Sequence, residues 1–528
     1  MKQVFAAVLV AIAPTAFASD ALRVLQRDEL AAPLQMSAGT HRLYAIDVPA
    51  DVRDLEVRLV GASPVGGDAA SGNAVLSVKA QRPPGPIGAD CRAHAPGVQA
   101  VCIVPNPGVA TRHYIRVDAR TALRGGALVA KWRDRASVDG ERYDAWYRSI
   151  TPGTWVSQGA DARTVARVLA RIEQAKGPRR DATQPDTVIA YGPGHWVREW
   201  RTAGDDALRQ ARRLQHRGQR DAAKAAYLEA IHYFNIASYP HLNHDTHGIA
   251  ALDASQAAYR EAAPLMTGTF HQVEVVHDGV PFQAHLHVPQ GKGPFPILIK
   301  SGGSDIVKEI FYASWERALA PRGVAILLLD MPGIGASRGH VLTPNSDKLH
   351  AAALKHLKRH GKSIDARLDA QRIAVEGASF GGHAAGRFFL RRDLGATAVV
   401  SVCGPQDQVF RKTAAGYAAM PEMTMDGVRS RLGLAQDAPW EVFAEKMHRF
   451  ALGPAGQGLL PAPVPLPVPL LAIGTLHDPV APLEDVAMLA DAAETVDLRI
   501  FDVAGHCPNR RARDAIIADW LVEQFRKH

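Results

Sequence analysis

The sequence predicts an α/β fold in its C-terminal half, a doubly wound and mostly parallel sheet, with a helical cap region and a separate N-terminal β-sandwich before it. Three features predict this. From residue 269 onward, short and strongly apolar segments such as 396–402 alternate with amphipathic stretches, and strands covered on both faces by crossover helices read as near-continuous Val, Ile and Leu. Between Trp196 and Met266 the apolar residues instead recur at a helical spacing, with no Pro in the long stretches. From 22 to 133 short strands alternate with Gly, Pro and Asp turns, the spacing of a small sandwich.

At the start of the chain, Lys2 precedes an apolar run from Val4 to Ile12 and the small-x-small site Ala16-Phe17-Ala18. This predicts a signal peptide over residues 1–18, cleaved after Ala18, and a periplasmic or secreted protein. No later apolar run is long enough to span a bilayer, so stable membrane insertion is not expected. The 528 residues exceed what one core accommodates, which implies several domains. The net charge of +8 is spread along the chain, and pairs such as Arg391–Arg392 and Lys358–Arg359 read as solvated faces. No nucleic-acid partner is expected.

Among the four cysteines, Cys91 and Cys102 lie close together and are the expected disulfide of an oxidising compartment. Cys403 and Cys507 either pair, bracing the loop that carries His506, or remain free thiols. No Cys/His spacing matches a zinc site, and neither a metal nor a cofactor is expected.

In order along the chain, residues 22–133 supply the strand segments HRLYAIDV, LEVRLVG, AVLSVKA, AVCIVP, HYIRVDA and ALVAKW. Residues 134–268 form a connector and helical cap, with helices expected over 206–216, 221–236 and 252–263 and a turn at Gly218. Residues 269–528 are expected to form one further domain: entry strands 271–276 and 282–288 joined by Asp278-Gly279, then strands 296–300, 323–329, 372–376, 396–402, 467–473 and 496–501. Helices are expected between them at 311–319, 349–360, 383–391, 483–492 and 511–525.

The passage Arg372–Gly382, RIAVEGASFGG, runs a buried strand into Gly-x-Ser-x-Gly. Gly377 and Gly381 leave room for a strained strand-to-helix elbow with Ser379 at its tip. A serine hydroxyl needs a base in reach and an acid to orient that base. In the α/β-hydrolase order both follow the nucleophile, acid first, on loops at the carboxyl ends of strands. Asp478, in GTLHDPVAP, is the expected acid, with Asp407 its competitor; His506, in AGHCP, is the expected base.

The oxyanion donors are expected to be the main-chain groups of Phe380, following the nucleophile, and of Gly303 or Ser304 in SGGSD. Asp330, in LDMPGIGAS, is expected to shape the pocket floor without transferring protons. His383 is expected to pack beside or border the pocket. His241, His244, Asp245 and His247 read better as a polar loop facing substrate than as a metal site. Tyr233 and Tyr239 either line the cap cavity or fill the helical core. Tyr233, Tyr239, His244 and His383 are thus the candidate substrate contacts.

With these motifs, the DKLHAAALKHL helix and the DMPG-x-G-x-S passage, residues 190–528 resemble the FrsA-like α/β-hydrolase family. The resemblance implies that the helical segment is a cap and that Ser379, Asp478 and His506 are nucleophile, acid and base. That family holds esterases and enzymes cleaving carbon–carbon bonds beside a ketone. Residues 22–133 resemble the bacterial pre-peptidase C-terminal β-sandwich, on 55–61, the Gly67–Asp68 turn, Cys91/Cys102 and 114–117, which implies a binding or positioning role. The expected function is a serine hydrolase of carboxylic esters, its partner a small-molecule or polymeric ester. A serine peptidase, a carbon–carbon hydrolase and a non-catalytic binding protein are the alternatives.

Overall fold

Alternation along the strands decides where the first core lies. The computed structural model describes residues 22–50, 52–61, 71–85, 88–95, 98–105, 109–134, 143, 145–508 and 510–528. The expected signal peptide and the Gly67–Asp68 turn lie outside the described residues. The chain divides into two compact units, Met1–Arg135 and Ala136–His528.

In the first unit the strands are β1 (Arg23–Leu25), β2 (Glu29–Ala31), β3 (His41–Val48), β4 (Val52–Val60), β5 (Ala74–Ala80), β6 (Cys91–Ala95), β7 (Ala100–Pro105), β8 (Thr111–Ala119) and β9 (Ala127–Asp134). One set runs β1-β3-β8-β5-β6 and another β2-β9-β4-β7. Strand β8 buries every second residue, Ile115 and Val117 among them, as a half-buried pleated strand must. These side chains join Ile46, Val57, Leu76 and Leu128, drawn from both sets, in a single apolar cluster. A disulfide joins Cys91 on β6 to Cys102 on β7, with Cα atoms 5.6 Å apart, and so staples one set of strands to the other.

The second unit opens with helices α1 (Pro152–Ser157), α2 (Ala162–Glu173), α3 (Trp196–His216), α4 (Arg220–Ser238) and α5 (Thr246–Ala262). The α3–α4 hairpin turns at Gly218, whose φ of +73° suits glycine. The two helices approach closely because Gly204 sits on the Phe234 ring, where a Cβ would stand 2.6 Å from a ring carbon. Helix α4 is buried around most of its circumference from Ala230 onward, as befits the centre of a helical layer.

The sheet of this unit comprises β10 (Thr269–His277), β11 (Val280–Val288), β12 (Phe295–Ser301), β13 (Ala325–Leu328), β14 (Leu368–Ala378), β15 (Ala398–Val402), β16 (Leu470–His477) and β17 (Val496–Ala504). Its order is β10-β11-β13-β12-β14-β15-β16-β17. The β10–β11 and β11–β13 pairs are antiparallel and the later ones parallel. Strands β12, β13 and β15 are buried along their whole length. Helices α6 (Tyr312–Ala318), α7 (Lys348–Ile364) and α8 (Phe380–Phe389) lie between these strands in sequence. The result is a mixed α/β architecture with inserted helices, consistent with an α/β-hydrolase fold and cap.

Between β15 and β16 the structure adds three helices absent from the sequence reading, α9 (Ala414–Ala418), α10 (Glu422–Arg431) and α11 (Trp440–His448). They are short, and α10 and α11 start after Pro421 and Pro439; buried Arg429 and Arg431 make α10 read as a charged surface. Their apolar faces pack with Leu252 of α5 and Phe380 of α8 in one cluster. Strand β16 also runs on to His477, past the expected end at 473. The remaining helices are α12 (Leu483–Ala490) and α13 (Arg510–Lys527). Among the described residues, no helix is long and apolar enough to cross a membrane.

Candidate active site

Ser379 stands between the end of β14 and the start of α8 with φ +57° and ψ −124°, a conformation L-residues adopt only where surrounding structure enforces it. The enforcement is visible. A Cβ on Gly377 would stand 1.9 Å from the Gly381 carbonyl oxygen, and one on Gly381 2.2 Å from that of Gly302, so only glycine fits at either place. Ser379 N–H donates to the Val402 carbonyl at 2.8 Å, anchoring the elbow to the end of β15.

Three loop ends converge here. His506 Nε2 lies 2.7 Å from Ser379 Oγ, and His506 Nδ1 lies 2.9 and 2.8 Å from the two Asp478 oxygens. Asp478 follows β16; its buried carboxylate is further held by the N–H groups of Val480 and Ala481 at 2.8 and 2.9 Å. His506 follows β17, where Gly505, at φ +97°, turns the chain and has its carbonyl bonded by Thr475 Oγ1 at 3.0 Å. The competing acid Asp407 pairs instead with Arg411 at 2.7 Å, and His477 is mostly exposed, its ring 3.9 Å from Asp502.

The SGGSD loop faces Ser379 from the end of β12. A Cβ on Gly303 would stand 3.1 Å from Ser379 Oγ, so the Gly303 main chain itself borders that oxygen. Phe380 is the first residue of α8, where N–H groups have no intrahelical acceptor. Ser304 turns its carbonyl to Arg431 Nε at 2.8 Å. Arg431, which the sequence reading missed, is almost wholly buried, and its other nitrogens donate to the His241 and Pro240 carbonyls at 2.8 and 2.6 Å. One guanidinium thereby ties α10, the 240–241 loop and the SGGSD loop together. Burial lowers its pKa to about 10, with Asp305 opposing, so it remains a cation at neutral pH.

Asp330 braces the same region from below. Its carboxylate accepts from Lys308 N–H at 2.7 Å, Lys308 Nζ at 2.9 Å and Ala336 N–H at 2.8 Å. Both of its oxygens are engaged by neighbours, in keeping with a supporting role.

The candidate substrate contacts separate. Tyr239 donates its hydroxyl to Asp305 Oδ2 at 3.0 Å, in the SGGSD loop. Tyr233 is buried in the helical core against Trp200, and its hydroxyl is engaged by Asp161 N–H at 3.0 Å and Glu229 at 2.5 Å; it fills the core. His383 is also displaced from the proposed role: it is fully buried, with ring nitrogens 2.8 Å from Ser346 Oγ and 2.8 Å from the Phe450 carbonyl. Both nitrogens being taken, it has none to offer a substrate, and burial lowers its pKa to about 4, keeping it neutral.

His244 is exposed on the cap loop. Its neighbours there diverge: His241 is buried against Ser238 at 2.8 Å, Asp245 caps α5, and His247 stacks on Tyr191 at 3.9 Å. Among the described residues, no group of three or more potential ligands is placed to hold a metal.

The family model described as "Esterase FrsA-like" matches residues 127–526. The chain is 34% identical over 394 residues to "Esterase FrsA" of Escherichia coli (strain K12 / DH10B), spanning 74% of this chain and 91% of that protein. It is 33% identical over 392 residues to "Esterase FrsA" of Salmonella schwarzengrund (strain CVM19633), spanning 73% and 90%. In fold it is similar to a crystal structure of 2,6-dihydroxy-pseudo-oxynicotine hydrolase, with TM-score 0.55, 20% identity, and coverage of 71% of this chain and 95% of that one. AbyA5 is similar with TM-score 0.50, 21% identity, and coverage of 67% and 96%.

Proposed function

The chain belongs to the FrsA-like esterase family and is a hydrolase, and from that premise we propose that it cleaves small-molecule carboxylic esters through an acyl-enzyme on Ser379. The observation that carries the reading is one imidazole bridging a hydroxyl at 2.7 Å and a carboxylate at 2.8 Å. His506 takes the Ser379 proton as Oγ attacks the ester carbonyl and returns it to the departing alcohol. Asp478 holds the tautomer with Nδ1–H and stabilises the imidazolium. The Phe380 and Gly303 main-chain groups face the developing oxyanion, and water, activated by the same imidazole, releases the acid. No cofactor enters this chemistry.

In this reading residues 134–268 act as the cap over the site and residues 269–528 as the catalytic domain. Residues 22–133 are a β-sandwich of the pre-peptidase C-terminal kind; their core drawn from two sets of strands and the Cys91–Cys102 bond support it, and they lie almost wholly before the family match at 127. They serve to position the enzyme on its substrate. The disulfide and the leader at 1–18 together support export to the periplasm or medium.

The test is Ser379→Ala, assayed on p-nitrophenyl esters. Turnover falls by several orders of magnitude while the circular-dichroism spectrum is kept, and fluorophosphonate labelling, stoichiometric in the parent, disappears. Undiminished turnover in the variant overturns the assignment.

A further inference from the structure

A charged pair lies within the sheet just below the active site. Lys300 on β12 and Glu376 on β14 stand directly opposite each other in the parallel ladder, after Ile297, Leu298 and Ile299 on one strand and Ile373, Ala374 and Val375 on the other. Lys300 Nζ donates to Glu376 Oε1 at 2.5 Å, and the two residues are 4% and 1% exposed. The space beside the pair, lined also by Phe311, Ser314 and Asp514, has a volume of about 10 Å³. That is too little for more than a single water, so bulk solvent does not screen the two charges. On the same face Asp514 of α13 places Oδ1 4.0 Å from Lys300 Nζ, and its other oxygen takes Arg317 of α6 at 3.3 Å. Alternation sends Ser301, the next residue of β12, to the opposite face, where its hydroxyl lies 2.8 Å from His350 Nε2 on α7. The strand is thus held from both sides in the two residues before the SGGSD loop turns away.

Both strands lead straight to the reacting groups. Ser301 pairs with Gly377, and three residues beyond the charged pair come Gly303 on one side and Ser379 on the other. There a Cβ on Gly303 would lie 3.0 Å from Ser379 Cβ and 3.1 Å from its Oγ.

We propose that Lys300 and Glu376 are positioning residues for the hydrolysis: their pairing sets the register of β12 against β14 and so fixes how closely the Gly303 main chain borders Ser379 Oγ. The inference rests on the Ser379–His506 reading above and adds a pair that touches neither substrate nor nucleophile.

Apolar contacts alone leave this register open. Side chains repeat every second residue, so sliding one strand past the other by two residues returns each apolar side chain to its own face among similar neighbours. Such a slip is about 6.6 Å. It would set Lys300 opposite Ala374 or Ala378 and leave two unpaired charges in a place closed to water, which is far worse than any apolar mismatch. A polar contact inside an apolar interface is the best-attested way of specifying one register. Smaller displacements matter as well, since a misplacement of about 1 Å costs on the order of 10²-fold in rate. The Ser379 elbow has its own anchor on the Val402 carbonyl. The SGGSD loop depends on β12 at its start and on Arg431, through the Ser304 carbonyl, further along.

The experiment uses the full chain and three variants, Glu376→Gln, Lys300→Met and the double variant K300M/E376L. Urea unfolding gives the stability of each. The site is read by kcat and KM on p-nitrophenyl butyrate and by inhibition with phenylboronic acid, which forms a tetrahedral adduct on an activated serine, all well below the lowest unfolding midpoint. Glu376→Gln keeps the shape of the side chain and removes its charge; kcat falls about tenfold or more while KM stays within about twofold. Lys300→Met strands the carboxylate and loses more in both stability and kcat. K300M/E376L recovers stability, because apolar residues of similar volume replace a buried pair with little loss. Its kcat nevertheless stays about 10–100-fold down, and its affinity for the boronate falls with kcat. A pair with a merely structural role would regain rate together with stability.

The proposal is overturned if Glu376→Gln keeps the parental kcat, if the double variant regains parental kcat and boronate affinity along with its stability, or if the losses fall on KM alone. Where the double variant does not fold, Glu376→Gln decides by itself. The underlying reading fails in a different way: a parent that a fluorophosphonate does not label, or turnover surviving in Ser379→Ala, removes the nucleophile. A labelled parent whose Glu376→Gln rates are unchanged removes only the role of the pair.

Discussion

Replacing Arg431 with methionine removes one guanidinium and strands three main-chain carbonyls. Its nitrogens reach the Ser304, His241 and Pro240 carbonyls at 2.8, 2.8 and 2.6 Å in a place almost closed to water. A buried acceptor left without a donor costs about 1–3 kcal/mol. Taken three times this bounds the loss near the top of the range for point mutants, and the relief of no longer burying a cation offsets part of it. The expected net destabilisation is about 2–4 kcal/mol. A catalytic loss accompanies it, because Ser304 adjoins Gly303, the residue whose main chain borders Ser379 Oγ. A loop loosened there should lower kcat by about 10–100-fold, as displaced oxyanion donors do.

Thermal and urea unfolding of Arg431→Met and Arg431→Lys, with kcat and KM on one ester, measure both effects. Lysine keeps the charge but not the planar fork, so it should fall between parent and methionine. A methionine variant that melts with the parent and keeps its kcat would refute the view that this side chain organises the site.

Gly303→Ala should act on chemistry alone: its methyl would stand 3.1 Å from Ser379 Oγ and 3.0 Å from Cβ. We expect kcat to drop about 10²-fold with an unchanged melting temperature; undiminished kcat would show that this face of the loop is not where the ester carbonyl sits. His383→Leu should do the reverse. Losing the bonds to Ser346 and Phe450, at 2.8 Å each, destabilises the fold by about 1–3 kcal/mol, while KM stays with the parent because the ring never reaches substrate. A raised KM at parental stability would restore the substrate-contact reading.

What the amino-acid order carried by itself was whatever is written in contiguous residues. The elbow at Ser379 is legible because two glycines at fixed offsets meet a steric demand that no other residue satisfies, 1.9 and 2.2 Å from neighbouring carbonyls. The strand end that carries Asp478 is legible because β16, buried along most of its length, reads as an apolar run, whereas β17, which carries His506, is only partly buried and is legible from the alternation in VDLRI. Helices α3 to α5 are legible from their period, although α3 begins ten residues before the expected start, its Trp196 and Trp200 packing into the core.

Tertiary structure alone decided the rest. Nothing local distinguishes buried Arg431 from an exposed arginine, since its partners are carbonyls more than a hundred residues away in the chain. Likewise His383 and Tyr233 became core residues because remote groups satisfied their polar atoms. Periodicity reports which face of an element is apolar. Whether a polar or charged group can be buried there depends on donors and acceptors that only the folded chain assembles.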